Sequence, residues 1–177
     1  MQYTQVYRSG TTQALGALTV ALCVAGLATL AVRGGDRDLL RYAGPLLAVA
    51  WVGWFGYWRP RVVMDDEAVT LHNVVRTVRV PWSAVVEIHS RYGLRLDTPD
   101  ASYGAWAVAA PAGRERLRGG DTEASLMARR RLERVRGLGM LPAGTPPGDT
   151  EESWSVPAVA TGLAVVTMAV AGLLLSF

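Results

Sequence analysis

Hydrophobic and polar residues are segregated along this chain into three long uncharged blocks and one alternating segment. Residues 11–32 (TTQALGALTVALCVAGLATLAV) contain no charge, and about 20 such residues cross the apolar core of a bilayer as a helix. Residues 42–58 (YAGPLLAVAWVGWFGYW) form a second uncharged run, which reaches spanning length if it begins near Leu39 with Arg41 snorkelling to the interface. The last block, 156–177 (VPAVATGLAVVTMAVAGLLLSF), is again uncharged and runs to the final residue. The pattern predicts a two-helix transmembrane hairpin over 1–58 and a third span over 156–177. The first block reads as a retained helix rather than a signal peptide, because its apolar run exceeds an h-region and a second span follows at once.

Residues 59–138 follow a different period. Val69 and Leu71 alternate with Thr70 and His72, Val78 and Val80 with Thr77 and Arg79, Val86 and Ile88 with Glu87 and His89, and Leu94 and Leu96 with Arg95 and Asp97. Such alternation marks strands with one buried and one wet face. Turn signals at 65–67, 72–73, 81–83 and 97–100 separate them, so the segment reads as an antiparallel meander with YGAWAV (103–108) as its last strand. From Asp121 the spacing becomes helical. Asp121 or Thr122 can cap, Ala124, Ala128, Leu132 and Val135 share a face, and Gly137 ends the helix. Residues 139–155 are rich in Gly, Pro and acids and read as a linker.

The charges add a second layer. All 18 basic residues are arginine, and fourteen of them against ten acids give residues 59–140 a net charge of about +4. That is milder than an obligate nucleic-acid binder shows, so no nucleic-acid partner is expected. Cys23 is the one cysteine and lies in the first span, which leaves no internal disulfide and no cysteine metal site.

Candidate chemistry is sparse. His72 and His89 are the two histidines, both at outward strand positions, and the chain lacks H-E-x-x-H, a P-loop and a G-x-S-x-G elbow. Asp65-Asp66-Glu67 has the oxygen ligands of a hard-cation site, although acids in a strand-to-strand turn are more often solvated. The spans carry no histidine and no acid, which argues against an ion pathway. No catalysis, cofactor, metal or small-molecule substrate is expected. The aromatic cluster Trp51, Trp54, Phe55, Tyr57 and Trp58, followed by Arg59 and Arg61, reads as an interface anchor. Small residues at helix-packing spacing form a stripe of Ala17, Ala21, Ala25 and Thr29 in the first span, and Ala158 with Gly162 in the last. These suit packing among the chain's own spans or docking on other membrane subunits.

The run PRVVMDDEAVTLHN, a strand ending V-R-V, the turn Pro81-Trp82-Ser83, the strand AVVEIHS and one C-terminal helix together resemble the bacterial pleckstrin-homology-like (PH-like) domains. Two amino-terminal spans followed by W-R-P-R-V, V-P-W-S, R-Y-G-L and A-R-R-R-L-E-R-V-R are similar, over about residues 1–140, to the actinobacterial membrane-bound PH-domain proteins related to low-molecular-weight protein antigen 6. The resemblance implies a PH-like antiparallel barrel or sheet with a C-terminal helix, and together with the three apolar blocks it gives the expectation of an α+β membrane protein with three transmembrane helices. Trp82 is then expected to lie as an aromatic lid over an open end of the barrel, its indole N–H partnered if buried.

Two functions follow as expectations. One is an interaction module that makes the protein an accessory or scaffolding subunit of a larger membrane complex, respiratory or envelope-related. The other is a sensor of anionic lipid headgroups through Arg129, Arg130, Arg131 and Arg134, with Arg59 and Arg61 beside the membrane. The expected partners are membrane lipids and other membrane-protein subunits. The arginines flanking the hairpin, Arg8, Arg59 and Arg61 against Arg33, Arg37 and Arg41, leave orientation balanced. The resemblance implies a cytoplasmic domain.

Overall fold

The computed structural model describes residues 4–90, 93–108, 122–137 and 148–174. The described strands are β1 (Gln5–Tyr7), β2 (Arg61–Met64), β3 (Ala68–His72), β4 (Arg76–Pro81), β5 (Glu87–His89), β6 (Arg95–Asp97), β7 (Ser102–Gly104) and β8 (Glu151–Trp154). The helices are α1 (Gly10–Arg33), α2 (Asp36–Trp51), α3 (Glu123–Gly137) and α4 (Val156–Leu174), and a π-helical stretch, Val52–Trp58, continues α2. Two compact units result: the residues up to Ser9 with Pro60–Trp154, and Gly10–Arg59 with the residues from Ser155 onward.

The first unit is built on two antiparallel sheets, one in the order β1-β2-β3-β4-β8 and the other β5-β6-β7. Period two drives it. Val62 and Met64, Val69 and Leu71, and Val78 and Val80 point into one core. Ile88, Leu96 and Tyr103 of the second sheet and Ala124, Ala128, Leu132 and Val135 of α3 meet them there. The Pro81-Trp82-Ser83 stretch carries the chain from one sheet to the other: Pro81 ends β4, and Trp82–Ala84 form one 3-10 turn. The expected single meander is therefore split in two at this corner. The split also shifts the alternation, so Val85 is buried and Val86 exposed. Gly93, in R-Y-G-L, sits at φ 100°, a left-handed turn geometry that a side chain would strain.

Two segments join this unit from outside the expected boundaries. β1, within the stretch assigned to the hairpin, pairs with β2. β8, within the stretch assigned to a linker, pairs with β4. Of the expected linker, residues 139–147 lie outside the described residues, as does Asp121 as a cap. Thr122 does cap α3, its hydroxyl accepting from the Ser125 N–H at 3.3 Å. The strand expected over 103–108 is short: β7 ends at Gly104 and a turn follows.

In the second unit, α2 and its π-helical continuation pack against α1, and α2 also packs against α4. Glycine makes the approaches close: a Cβ on Gly44 would stand 2.6 Å from Ala169 Cα, and one on Gly16 2.7 Å from the Gly53 carbonyl oxygen. The Trp51 indole donates to Thr161 Oγ1 at 2.9 Å, tying α2 to α4. Two described helices, not three, are long and apolar enough to cross a membrane: α1 and α4. The uncharged run 42–58 expected as a middle span is divided between α2, 16 residues long, and the π-helical stretch Val52–Trp58, so no single helix there has the length of a span.

Candidate functional site

The acidic turn and Trp82 serve the fold. Asp65 accepts from the Glu67 and Ala68 backbone N–H groups at 2.9 and 2.6 Å, which shapes the β2–β3 turn. Arg79 pairs with Asp65 at 3.0 Å and reaches Glu67 at 3.4 Å. Asp66 pairs with Arg131, whose side chain is only 3% exposed. Each carboxylate of the run thus has an arginine partner rather than a cation, while the Glu67 side chain, 72% exposed, is also solvated. Trp82 is buried among the core side chains, and its indole N–H donates to the Asp65 carbonyl oxygen at 2.9 Å. The turn, the corner and α3 are joined at this point.

That junction changes the reading of the arginine-rich helix. Arg131, expected at a lipid headgroup, is buried in the ion pair with Asp66. Arg129 donates to the Ile88 carbonyl oxygen at 3.0 Å and Arg136 to the Val85 carbonyl oxygen at 3.2 Å, so both hold α3 against the β5 region. Arg130 and Arg134 are exposed. Arg61 opens β2 opposite His72, and Arg59 lies over the Phe55 ring at 5.6 Å. Of the expected headgroup contacts on α3, Arg131 and Arg129 are thus engaged within the domain, while Arg130 and Arg134 face outward.

The histidines sit in surface networks. His89 Nε2 lies 2.8 Å from Asp97 Oδ2, with Glu87 3.7 Å from the other ring nitrogen. A hydrogen bond from Ser102, helped by His89 and Arg95, holds the Asp97 carboxyl below its ordinary value despite some desolvation. His72 Nδ1 lies 3.4 Å from the Thr77 hydroxyl. Tyr103 is pushed above the usual phenol value, first by burial and then by Glu152, to which it hydrogen-bonds. Glu152 also pairs with Arg76 at 3.1 Å, and Arg76 lies over the Tyr103 ring. This trio ties β4, β7 and β8 together. No group of three or more His, Cys, Asp or Glu suited to a metal occurs among the described residues.

The small-residue stripes fall on different faces. Ala158 is buried, and Gly162 lies against the Trp51 ring, where a Cβ would come within 2.9 Å. Both serve packing inside the helical unit. In α1 the packed positions are Gly16 and Cys23, whereas Ala17, Ala21, Ala25 and Thr29 are exposed. Thr29 also lines an open apolar groove between α1 and α2. The aromatic cluster stacks along its own helix, Trp51 on Phe55 at 5.0 Å and Trp54 on Trp58 at 5.7 Å.

Sequence reasoning took Asn73 only as part of a turn signal and did not single out Trp106 or Trp154. Asn73 receives the Trp106 N–H at 2.7 Å and donates to the Gly104 carbonyl oxygen at 2.9 Å. An Asn beside a predicted turn was the available signal, but its partners are over thirty residues away.

No curated protein and no solved structure matches the chain. A family model described as "Bacterial PH domain" matches residues 59–137, the stretch that here runs from Arg59 through β2–β7 to the end of α3, and that part of the chain is accordingly PH-like.

Proposed function

We propose that the protein is a non-enzymatic, multi-pass protein of the cell membrane whose PH-like domain acts as a cytoplasmic interaction module, making it an accessory or scaffolding subunit of a larger membrane assembly. The observation that carries this reading is the division of α1 into two faces. Gly16 and Cys23 are used in packing within the helical unit, while Ala17, Ala21 and Ala25 are left exposed at helix-packing spacing. Between helices in lipid, small residues permit the close backbone approach on which association depends. A bacterial PH domain suggests a protein-interaction or lipid-binding module, and PH domains are generally non-catalytic. The polar clusters of this domain agree with that, since Asp66, Arg131, Arg129 and Arg136 are engaged in holding α3 to the sheets. The same engagement disfavours a lipid sensor built on the arginine-rich helix.

The test is extraction of the tagged full-length chain from its native membrane in a mild detergent, followed by a native gel and mass spectrometry. Co-migration with one defined complex is expected; migration as an isolated species contradicts the reading.

A further inference from the structure

The register of the first sheet gathers three chain crossings at one end. Tyr7 faces Val62, Arg61 faces His72, and Arg76 faces Trp154. The C-terminal end of β1, the N-terminal end of β2 and the C-terminal end of β8 therefore lie together. From each of them the chain passes within three residues into helix: Tyr7 to Gly10, Arg61 back to Trp58, and Trp154 to Val156. The same end carries the β3–β4 turn, Asn73-Val74-Val75, which has two apolar residues where hairpin turns are ordinarily polar.

Asn73 extends this end across to the second sheet. By bonding the Gly104 carbonyl and the Trp106 N–H, it fixes the turn that follows β7 and presents Trp106, 62% exposed, at this end. Trp154 is 66% exposed there, at the rim of β8. Both indoles are carried on hydrogen-bonded backbone, which holds them at this end. Their amphipathic rings suit the headgroup layer of a bilayer, where Trp is enriched. The charges agree: Arg8 is exposed two residues ahead of α1, and Arg61 opens β2. Both are complementary to anionic headgroups.

We propose that this end of the PH-like domain is a membrane-interface surface whose occupant is the anionic headgroup layer of the bilayer, with Trp106 seated in that layer. The inference rests on the reading that α1 and α4 cross a membrane. It shares Arg61 with the expected lipid sensor but differs from it in resting on the indoles and Arg8 rather than on the arginines of α3.

The test uses the full chain with Cys23→Ala, reconstituted in nanodiscs of phosphatidylcholine with phosphatidylglycerol. A fluorophore is attached to single cysteines introduced as Trp106→Cys, Arg130→Cys or Leu163→Cys. Quenching by a lipid carrying its quencher near the headgroup is expected to be several-fold stronger at 106 than at 130, with aqueous iodide showing the reverse. Equal iodide quenching at 106 and 130 overturns the proposal, as does shielding of 106 from both quenchers, which would mean that protein covers this end. The label at 163, in α4, separates the two readings. If a quencher placed deep in the acyl chains reaches 163 but the headgroup quencher does not reach 106, only the interface proposal fails. If the deep quencher does not reach 163, the membrane reading fails and takes the proposal with it.

Discussion

Trp82 and Arg131 act on the same few atoms, since the indole donates to the Asp65 carbonyl oxygen and the guanidinium pairs with Asp66 beside it. Trp82→Ala should cost about 3–5 kcal/mol, because it empties a large buried site. Trp82→Phe, which keeps most of the volume but leaves the Asp65 carbonyl only the longer bond from Arg131 Nε at 3.5 Å, should cost roughly 1–2 kcal/mol. Arg131→Met should cost roughly 2–3 kcal/mol, the value of charged hydrogen bonds, and not more, because the Asp66 side chain is 30% exposed and rehydrates. Denaturant unfolding of the full chain in detergent orders these three; an Arg131→Met variant as stable as the parent would contradict the assigned pair. Asp97 supplies a pH dependence of known sign. Its carboxyl is held below the ordinary value when folded, chiefly by Ser102, so its contribution is complete above the unfolded value and fades as pH falls through the folded one. Asp97→Asn should therefore be less stable than the parent at neutral pH, and the gap should close on acidification. A gap that widens in acid would show the sign to be wrong. At this scale the sequence was partly legible: an indole in an apolar run predicts burial and a needed acceptor, but Asp65 as that acceptor depends on the β2–β3 turn meeting the corner after β4.

Edge strands are where element-level reading from sequence failed, for a physical reason. β8 is Glu-Glu-Ser-Trp, exposed at every position, so it has no buried face to imprint an apolar alternation. Its pairing rests on ladder bonds to β4 and on Glu152 meeting Arg76 and Tyr103. β1 is three residues long and ends two residues short of a helix, too brief to register against an apolar block. The interior strands, by contrast, show their buried positions in the alternation of Val69 with Leu71 and Val78 with Val80. Hydrogen exchange tests the difference: amides of residues 151–154 that bond to β4 should be protected, whereas a tether would exchange at coil rates. The Arg76–Glu152 pair, more than a third exposed on both sides, should show a coupling of under about 1 kcal/mol in a double-mutant cycle. In the helical unit, Gly44→Val should disrupt the α2–α4 contact and lower the unfolding temperature in detergent, since a Cβ there has no space against Ala169. Gly44 was not among the expected packing residues. The stripe chosen in α1 took alanines at four-residue spacing, while the packed face uses Gly16 and Cys23, seven apart.

The whole molecule combines a PH-like domain whose polar groups are engaged with a helical unit whose α1 leaves Ala17, Ala21 and Ala25 exposed, the combination expected of a subunit of something larger. Sequence pattern made the apolar blocks and the domain between them legible, and the match to a bacterial PH domain over residues 59–137 agrees with the latter. It could not say which faces remain open, because burial depends on α2 lying against both α1 and α4. The most direct measurement places a photo-crosslinking side chain at Ala21, on the exposed face of α1, in the native membrane. Irradiation should give a covalent adduct with one defined membrane protein; adducts with lipid alone would contradict the account.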